Sequence, residues 1–275
     1  MLTGARDGYY KFYRGTVDEL AATIDHGWLL EGEERAPQLL GRPGAAMSLE
    51  PEKFVVCIAN HDQVGNQAFG LRLNQLISPA AYRAASALLC LVPYTPLILM
   101  GQEWAASTPF LYFTDHNPQL GRKVTEGRRD EFRSFSAFRD PASQTGIPDP
   151  QVEETFLRSK LKWEEIDEGR HADILRLYQE FLRLRRDEPV LRDRSRANFR
   201  VLKPADGILP ISFGRSDGEQ WLILADLIGA HSTPLSENDQ VWQLVLSSNE
   251  KRFGGEGGPA FAQAEVCVFR LTNSI

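Results

Sequence analysis

A chain of 275 residues with 42% hydrophobic and 25% charged side chains has ordinary globular composition, enough for one large domain or one large and one small. Its net charge of −6, with no lysine–arginine cluster beyond short patches such as Arg183, Arg185 and Arg186, argues against nucleic-acid binding, and its three cysteines, Cys57, Cys90 and Cys267, sit in apolar runs that read as buried thiols rather than disulfides or metal ligands. "MLTGARDGYY" lacks the apolar core of a signal peptide, and no apolar stretch approaches the roughly 18 residues of a membrane helix, so a cytoplasmic protein is the expectation.

"TVDELAATIDHG" predicts a short helix, with Thr16 and Glu19 at capping-box spacing and Gly27 just past its end. The Gly-, Pro- and charge-rich stretch from Leu29 to Lys53 reads as loop. Phe54–Ala59 is continuously apolar, as a strand buried on both faces of a parallel sheet would be. It runs straight into Asn60, His61, Asp62 and Gln63. Ser78-Pro79 then opens a helix as N-cap and N1, with Tyr82, Ala85, Leu89 and Val92 as its buried stripe and Pro93 as its stop. A second apolar run, Leu97–Met100, ends in Gly101, Gln102, Glu103 and Trp104. Strand, polar tip, helix, strand, polar tip is a βαβ signature, and in such folds the C-terminal strand ends carry the chemistry.

Residues 105–170 show no long regular element, and a connection of that length is usually functional. A helix is predicted at about 171–187, with Ile174, Leu177, Tyr178, Phe181 and Leu184 on one face and Pro189 ending it. From Asn198 onward, "FRVLK", "ILPISFG", "QWLILADL", "VWQLVLSS" and "EVCVFRL" are β-type runs separated by turn residues, which predicts a small antiparallel β-sandwich. Residues 1–195 and 196–275 are the expected domains.

The polar tips have two readings each. An Asp after a strand is commonly a turn former or helix cap, but adjacent polar groups at a buried strand end need partners, and a hydroxyl-rich substrate would supply them. His61 alone could be structural, Gln102 and Glu103 could cap the next segment, and Asp115-His116 is an isolated pair in the long connection. The five tryptophans and Tyr112-Phe113 could stack on sugar rings or fill the core.

"FVVCIANHDQVGNQ", residues 54–67, resembles the last strand-tip motif of the α-amylase family of glycoside hydrolases. The run "LLCLVPYTPLILMGQEWAASTPFLYFTDH", then "LGRKVTEGRRDEF", "TFLRSKLKW" and "LVLSSNEKRFGG", extends the likeness over essentially the whole chain. Within that family the chain is most similar to the maltooligosyltrehalose trehalohydrolases. The resemblance implies a (β/α)8 barrel followed by a β-sandwich. It implies hydrolysis, with retention, of the α-1,4 bond next to the terminal trehalose unit, by a nucleophile and an acid/base about 5–5.5 Å apart. It assigns Asp62 to transition-state stabilisation. It makes His61 a ligand of the same sugar ring and places Asn60, Gln63, Val64, Gly65, Asn66, Glu103, Asp115 and His116 among the substrate-binding residues. No cofactor and no metal is expected.

The chain departs from the pattern in one respect. Residues 1–53 hold no apolar strand ending in a Gly-Phe-Arg-x-Asp-like tip or in a lone Glu, so the nucleophile and acid/base motifs are missing. The expected fold is therefore α/β: a partial (β/α)8 TIM barrel, made of C-terminal βα units, and then the sandwich. Such a chain would be a fragment, a truncated gene product or a split subunit, inactive alone. It would be aggregation-prone at its open edge. Its expected partners are a maltooligosaccharide-type substrate and an N-terminal barrel half, with no nucleic acid and no membrane. A glucan branching or debranching fragment, or a non-catalytic carbohydrate-binding or split-subunit module, is the alternative.

Overall fold

The computed structural model describes residues 1–29, 48–133, 135, 146–214, 218–229, 241–258, 261 and 263–272. Most of the predicted Leu29–Lys53 loop, and the first seven residues of "RDPASQTGIPDP", lie outside these residues. Helix α1 spans Val17–His26; the Thr16 side chain accepts from Glu19 N, and Gly27 closes the helix at φ 93°. The Glu19 carboxylate turns away from Thr16 and accepts from Arg14 N and Gly15 N, so only half of the predicted capping box forms.

Strands β1 (Val55–Val56) and β2 (Thr95–Pro96) pair in parallel, Val55 opposite Thr95 and Val56 opposite Pro96. Between them lie α2 (His61–Gly65), α3 (Leu73–Leu76) and α4 (Pro79–Leu91), so the βαβ connection read from sequence is present. The strands themselves are much shorter than the predicted apolar runs, and Val55 is 64% exposed rather than buried on both faces. The reason is geometric. A parallel strand is buried only when strands flank it and helices cover it, and among the described residues β1 and β2 have only each other as neighbours in their sheet.

Helix α4 starts as predicted, with the Ser78 hydroxyl accepting from Ala81 N and Pro79 in its first turn. Every residue from Ala80 to Leu91 is buried. Its alanines let neighbours approach closely on all sides, so the helix forms the centre of the molecule rather than an amphipathic edge.

The connection after β2 contains α5 (Pro118–Phe132) and α6 (Glu153–Ser159), which corrects the expectation of no long regular element there. Asn117 caps α5 by accepting from Leu120 N, with Pro118 in the first turn. The buried residues of α5 are Gly121, Thr125, Arg128 and Phe132, a helical stripe with one apolar side chain of any size, so hydrophobic periodicity does not reveal it.

Helix α7 runs Gly169–Asp187 and buries Ile174, Leu177, Tyr178 and Phe181; the short α8 (Pro189–Arg192) follows it. The five β-type runs become β3 (Phe199–Val201), β4 (Leu209–Phe213), β5 (Trp221–Asp226), β6 (Val241–Ser247) and β7 (Glu265–Thr272). They form one antiparallel sheet in the order β3-β4-β5-β7-β6. Among the described residues there is no second sheet facing it, as a sandwich requires. The layer opposite is helical: Ile211, Phe213, Trp221, Ile223, Val266 and Val268 share one core with α4 and α7. The alternate residues Ile208, Leu224, Cys267 and Phe269 form a smaller cluster on the outer face. The fold is thus mixed α/β with an antiparallel C-terminal sheet.

Candidate functional site

The first polar tip folds as a helix start. Asn60 Oδ1 accepts from Gln63 N at 2.8 Å, and Gln63 Oε1 accepts from Asn60 N at 3.2 Å. This reciprocal box begins α2 directly after Ala59. Val64 and Gly65 are buried, with Val64 packed in a cluster with Ala59 and Leu99. That leaves His61 and Asp62 facing outward, 70% and 73% exposed, with His61 Nε2 3.5 Å from Asp62 Oδ1. Neither side chain is used by the backbone of α2. Asn66 is exposed at its end.

The second tip is built differently. Gly101 (φ 82°) and Ala105 (φ 55°) bracket a 3-10 turn over Gln102–Trp104. A side chain at Gly101 would press on Leu161 and Ala106 at 2.7 and 2.8 Å, so glycine is needed there. Gln102 is tied into the core: its carbonyl accepts from the Tyr82 hydroxyl, and its Nε2 donates to the Tyr178 hydroxyl, which donates to Ser86 Oγ. Burial pushes both tyrosine hydroxyls well up. Glu103 lies in the field of Arg72, and its Oε2 is buried without a hydrogen bond.

Arg72 itself is buried. Its Nε donates to Thr108 O at 2.7 Å and its Nη1 to Met100 O at 2.8 Å, so it straps the second tip from the α2 side. Burial draws its pKa down, opposed by Tyr82, Glu103 and Glu165. Glu165 accepts from the backbone and hydroxyl of Ser107, at 2.8 and 2.6 Å, and lies 4.0 Å from His171, whose Nδ1 is 2.9 Å from Trp104 O. These residues carry no motif signal. An arginine or glutamate whose partners are main-chain groups far away in sequence leaves no spacing to read.

Asp115 and His116 are exposed in the connection before α5, and neither side chain is bonded to α2 or to Glu103 among the described residues. Their loop is fixed by Gln151, which accepts from His116 N at 3.1 Å and donates to His116 O at 2.9 Å. Of the residues that could stack on a sugar, Trp104 and Trp221 are buried, Tyr112 lies against Arg128, and Trp28 and Trp163 are exposed.

A cavity of about 10 Å³ between the two tips, lined by Ala59, Val64, Arg72 and Gln102 among others, is far too small for a sugar. A wider surface pocket of about 410 Å³, between Ser107–Pro109 and Leu157–Glu164, includes none of the predicted site residues. Among the described residues there is no cluster of three or more metal-ligating side chains, and no helix is long and apolar enough to cross a membrane.

No family model matches the chain. Over 203 residues, 72% of its length, it is 51% identical to a malto-oligosyltrehalose trehalohydrolase of Deinococcus radiodurans, of which the match covers 32%. A malto-oligosyltrehalose trehalohydrolase of Brevibacterium helvolum is 40% identical over 195 residues, covering 70% of this chain and 32% of that protein. The chain is a relative of the malto-oligosyltrehalose trehalohydrolases. It spans about a third of the length of these relatives. A solved structure described as a putative alpha amylase from Salmonella typhimurium superposes on 98% of this chain with a TM-score of 0.79 at 29% identity, and the match takes in 44% of that structure. The fold is therefore similar to that of an alpha-amylase family protein.

Proposed function

We propose that this chain is the C-terminal part of a trehalohydrolase, an enzyme that hydrolyses the α-1,4 bond beside the terminal trehalose of maltooligosyltrehalose and releases trehalose. The observation that carries the reading of the site is the His61–Asp62 pair. The pair stands exposed just beyond a parallel strand, free of structural duty, while its neighbours Asn60 and Gln63 hold the turn.

Asp62 accepts hydrogen bonds from hydroxyls of the ring being cleaved. Those bonds strengthen as the ring flattens and becomes positive, so they lower the barrier more than they tighten ground-state binding. The short stem of Asp holds this geometry better than Glu would. His61 bonds the same ring, and the exposed Gln63 and Asn66 border it. Val64 and Gly65 act from beneath, as the packed floor of α2. Glu103, Asp115 and His116 are assigned to more distant substrate contacts.

Residues 1–195 are proposed as C-terminal βα units of a (β/α)8 barrel and 196–275 as the separate C-terminal β domain that follows it. The exposure of Val55, Leu97 and Met100 supports this, since in a closed barrel such side chains are covered. The nucleophile and acid/base are assigned to polypeptide outside these 275 residues, in a protein located in the cytoplasm.

The test is a chimera in which the N-terminal part of the Deinococcus relative is joined to this chain, assayed beside the chain alone. The chimera is expected to release trehalose from maltooligosyltrehalose, and Asp62→Asn to lower its kcat by on the order of 10²-fold. The 275-residue chain alone is expected to release none. Trehalose release by the chain alone, or a folded chimera acting on glycogen in preference to maltooligosyltrehalose, would overturn the proposal.

A further inference from the structure

We propose that Arg128, on α5, is a positioning residue for the His61–Asp62 pair, acting by holding the C-terminal end of α2. The inference rests on the reading of α2 as the sugar-contacting tip, but its geometry stands apart from that reading.

A five-residue helix is unstable by itself, because nucleation costs more than so few hydrogen bonds return. The capping box secures its first turn. Its last turn is secured from elsewhere in the chain. Arg128 Nη2 donates to Gly65 O at 3.1 Å and to Gln67 O at 3.3 Å, placing a cation where the unsatisfied carbonyls of α2 point. Gly65 follows Asp62 by three residues and His61 by four, one helical turn, so fixing the Gly65 carbonyl fixes the axial position of both. The chain beyond is held separately. Phe110 N donates to Gly70 O at 2.8 Å, and Arg72 bonds Thr108 O. Slip and rotation of α2 itself are the motions left, and Arg128 opposes them.

Like Arg72 and Arg185, Arg128 holds a buried charge against main-chain carbonyls. It is 8% exposed, and burial lowers its pKa. Among the described residues no carboxylate lies within ion-pair distance of it. Its charge is met directly by two carbonyls and by the rings of Tyr112 and Phe132, whose centroids lie 4.3 and 5.3 Å from the guanidinium carbon, and at longer range by the Glu131 carboxylate on the same helix. A methionine would fill much of the same space without the cost of burying a charge. The position of the charge behind α2 gives that cost a purpose. It also gives one to the connection after β2, whose longest helix carries Arg128.

The experiment compares Arg128→Met and Arg128→Lys with the parent chain. Amide hydrogen exchange is read at Val64 and Asn66, which bond to the Asn60 and Asp62 carbonyls, and at Ile223 and Val268 in the sheet. The His61 ring resonances are followed by NMR. The methionine variant is expected to raise exchange at Val64 and Asn66 by about tenfold or more, leave the sheet amides unchanged and move the His61 signals. The lysine variant, which keeps a cation and a donor, is expected to recover part of both. Unchanged exchange and His61 signals in the methionine variant, or an equal loss of protection in α2 and the sheet, would overturn the proposal. Should the methionine variant not fold, the lysine variant decides by the same two readouts. Titrating the parent chain with maltooligosyltrehalose is a separate arm. Absence of any change at His61 would remove the sugar-contacting reading and leave the positioning result standing.

Discussion

Replacing Arg185 by methionine tests whether the helical layer is joined by charge as well as by apolar packing. Arg185 is 7% exposed near the end of α7. Its Nη1 donates to Cys90 O at 2.9 Å and to Val92 O at 2.8 Å, and its Nη2 donates to Tyr94 O. Two of these carbonyls belong to the end of α4, so the guanidinium caps one central helix from the end of another. Burial, and then the nearby Arg194 cation, draw its pKa down to about 10, so the charge is held at a cost. Methionine would return that cost but leave three buried carbonyls without donors. A hydrogen bond to a charged group contributes about 1.5–3 kcal/mol, and breaking a buried polar network from one side costs about 3–5 kcal/mol in all. For a chain of this size each kcal/mol moves Tm by about 2–4 °C, so the expected fall is about 6–20 °C. Thermal unfolding followed by far- and near-UV circular dichroism reads it, with Arg185→Lys expected between methionine and the parent. A methionine variant melting within about 2 °C of the parent would show that the three contacts contribute nothing net.

Gly70 has φ 55°, and a Cβ there would lie 2.3 Å from Phe110 O; Gly70→Ala is expected to cost about 2–4 kcal/mol, read as a lower urea midpoint, and an unchanged midpoint would refute the close approach. Burial raises the pKa values of Tyr82, Tyr94, Tyr178 and Cys90, with Tyr94 and Cys90 moved up to about 12. The unfolded chain releases those protons at about 10 for tyrosine and 8.5 for cysteine, so above about pH 9 it binds fewer protons than the folded chain and stability falls with rising pH. Arg185, with its folded pKa drawn down to about 10, works in the opposite direction above about pH 10, as do the buried Arg72, Arg83 and Arg128, so the fall is expected between about pH 9 and 10, where the unfolded tyrosines and cysteines release protons and the arginines of both states remain charged. The three buried tyrosines are expected to gain phenolate absorbance at 295 nm only as circular dichroism is lost, and full ionisation in a native chain would contradict this. Asn60→Ala is expected to cost about 1 kcal/mol as a lost cap, and Asp62→Asn less than about 0.5 kcal/mol as an exposed side chain, in paired urea titrations; the reverse order would mean that Asp62 is the structural residue.

Periodicity revealed what is amphipathic or alternating. Helix α7 and all five C-terminal strands lie where the apolar spacing puts them, and α1 and the start of α4 lie where their capping residues put them. It failed where burial does not require apolar side chains, as in α5 with its stripe of Gly121, Thr125, Arg128 and Phe132. It overreached where apolar residues are not covered by neighbours, as at Val55. The sandwich expectation shows a related limit of reading strands from sequence. Alternation in β4 and β5 shows that one face is buried, not whether a sheet or a helix buries it, and here alanine-rich α4 and α7 occupy that side. The polar run after β1 was legible as a tip, but the division of labour within it was not. Neither were Arg72 and Arg128, whose main-chain partners lie up to 63 residues away.

The two readings of that tip, helix start or substrate wall, need not compete for the same residues: Asn60 and Gln63 form the helix start, and His61 and Asp62 are left exposed for the sugar contact proposed above. A cap needs a side chain that accepts from a backbone N–H near the first turn, and Asn60 does this while Gln63 answers it. With both ends of the box filled by uncharged amides, the carboxylate of Asp62 is not needed to start the helix, and it accepts no backbone N–H among the described residues. Had the order been reversed, with Asp as the cap, the charge would sit against the helix and be spent on its own main chain. The present order spends the neutral side chains on folding and leaves the charged acceptor and the imidazole unencumbered at the surface. The same economy holds beneath them, where Val64 and Gly65 supply the packing and the carbonyl that Arg128 grips. A turn held by Asn60 and Gln63, with His61 and Asp62 kept out of the assembly, has the rigidity that the proposed sugar contact would need to keep a ring in one geometry.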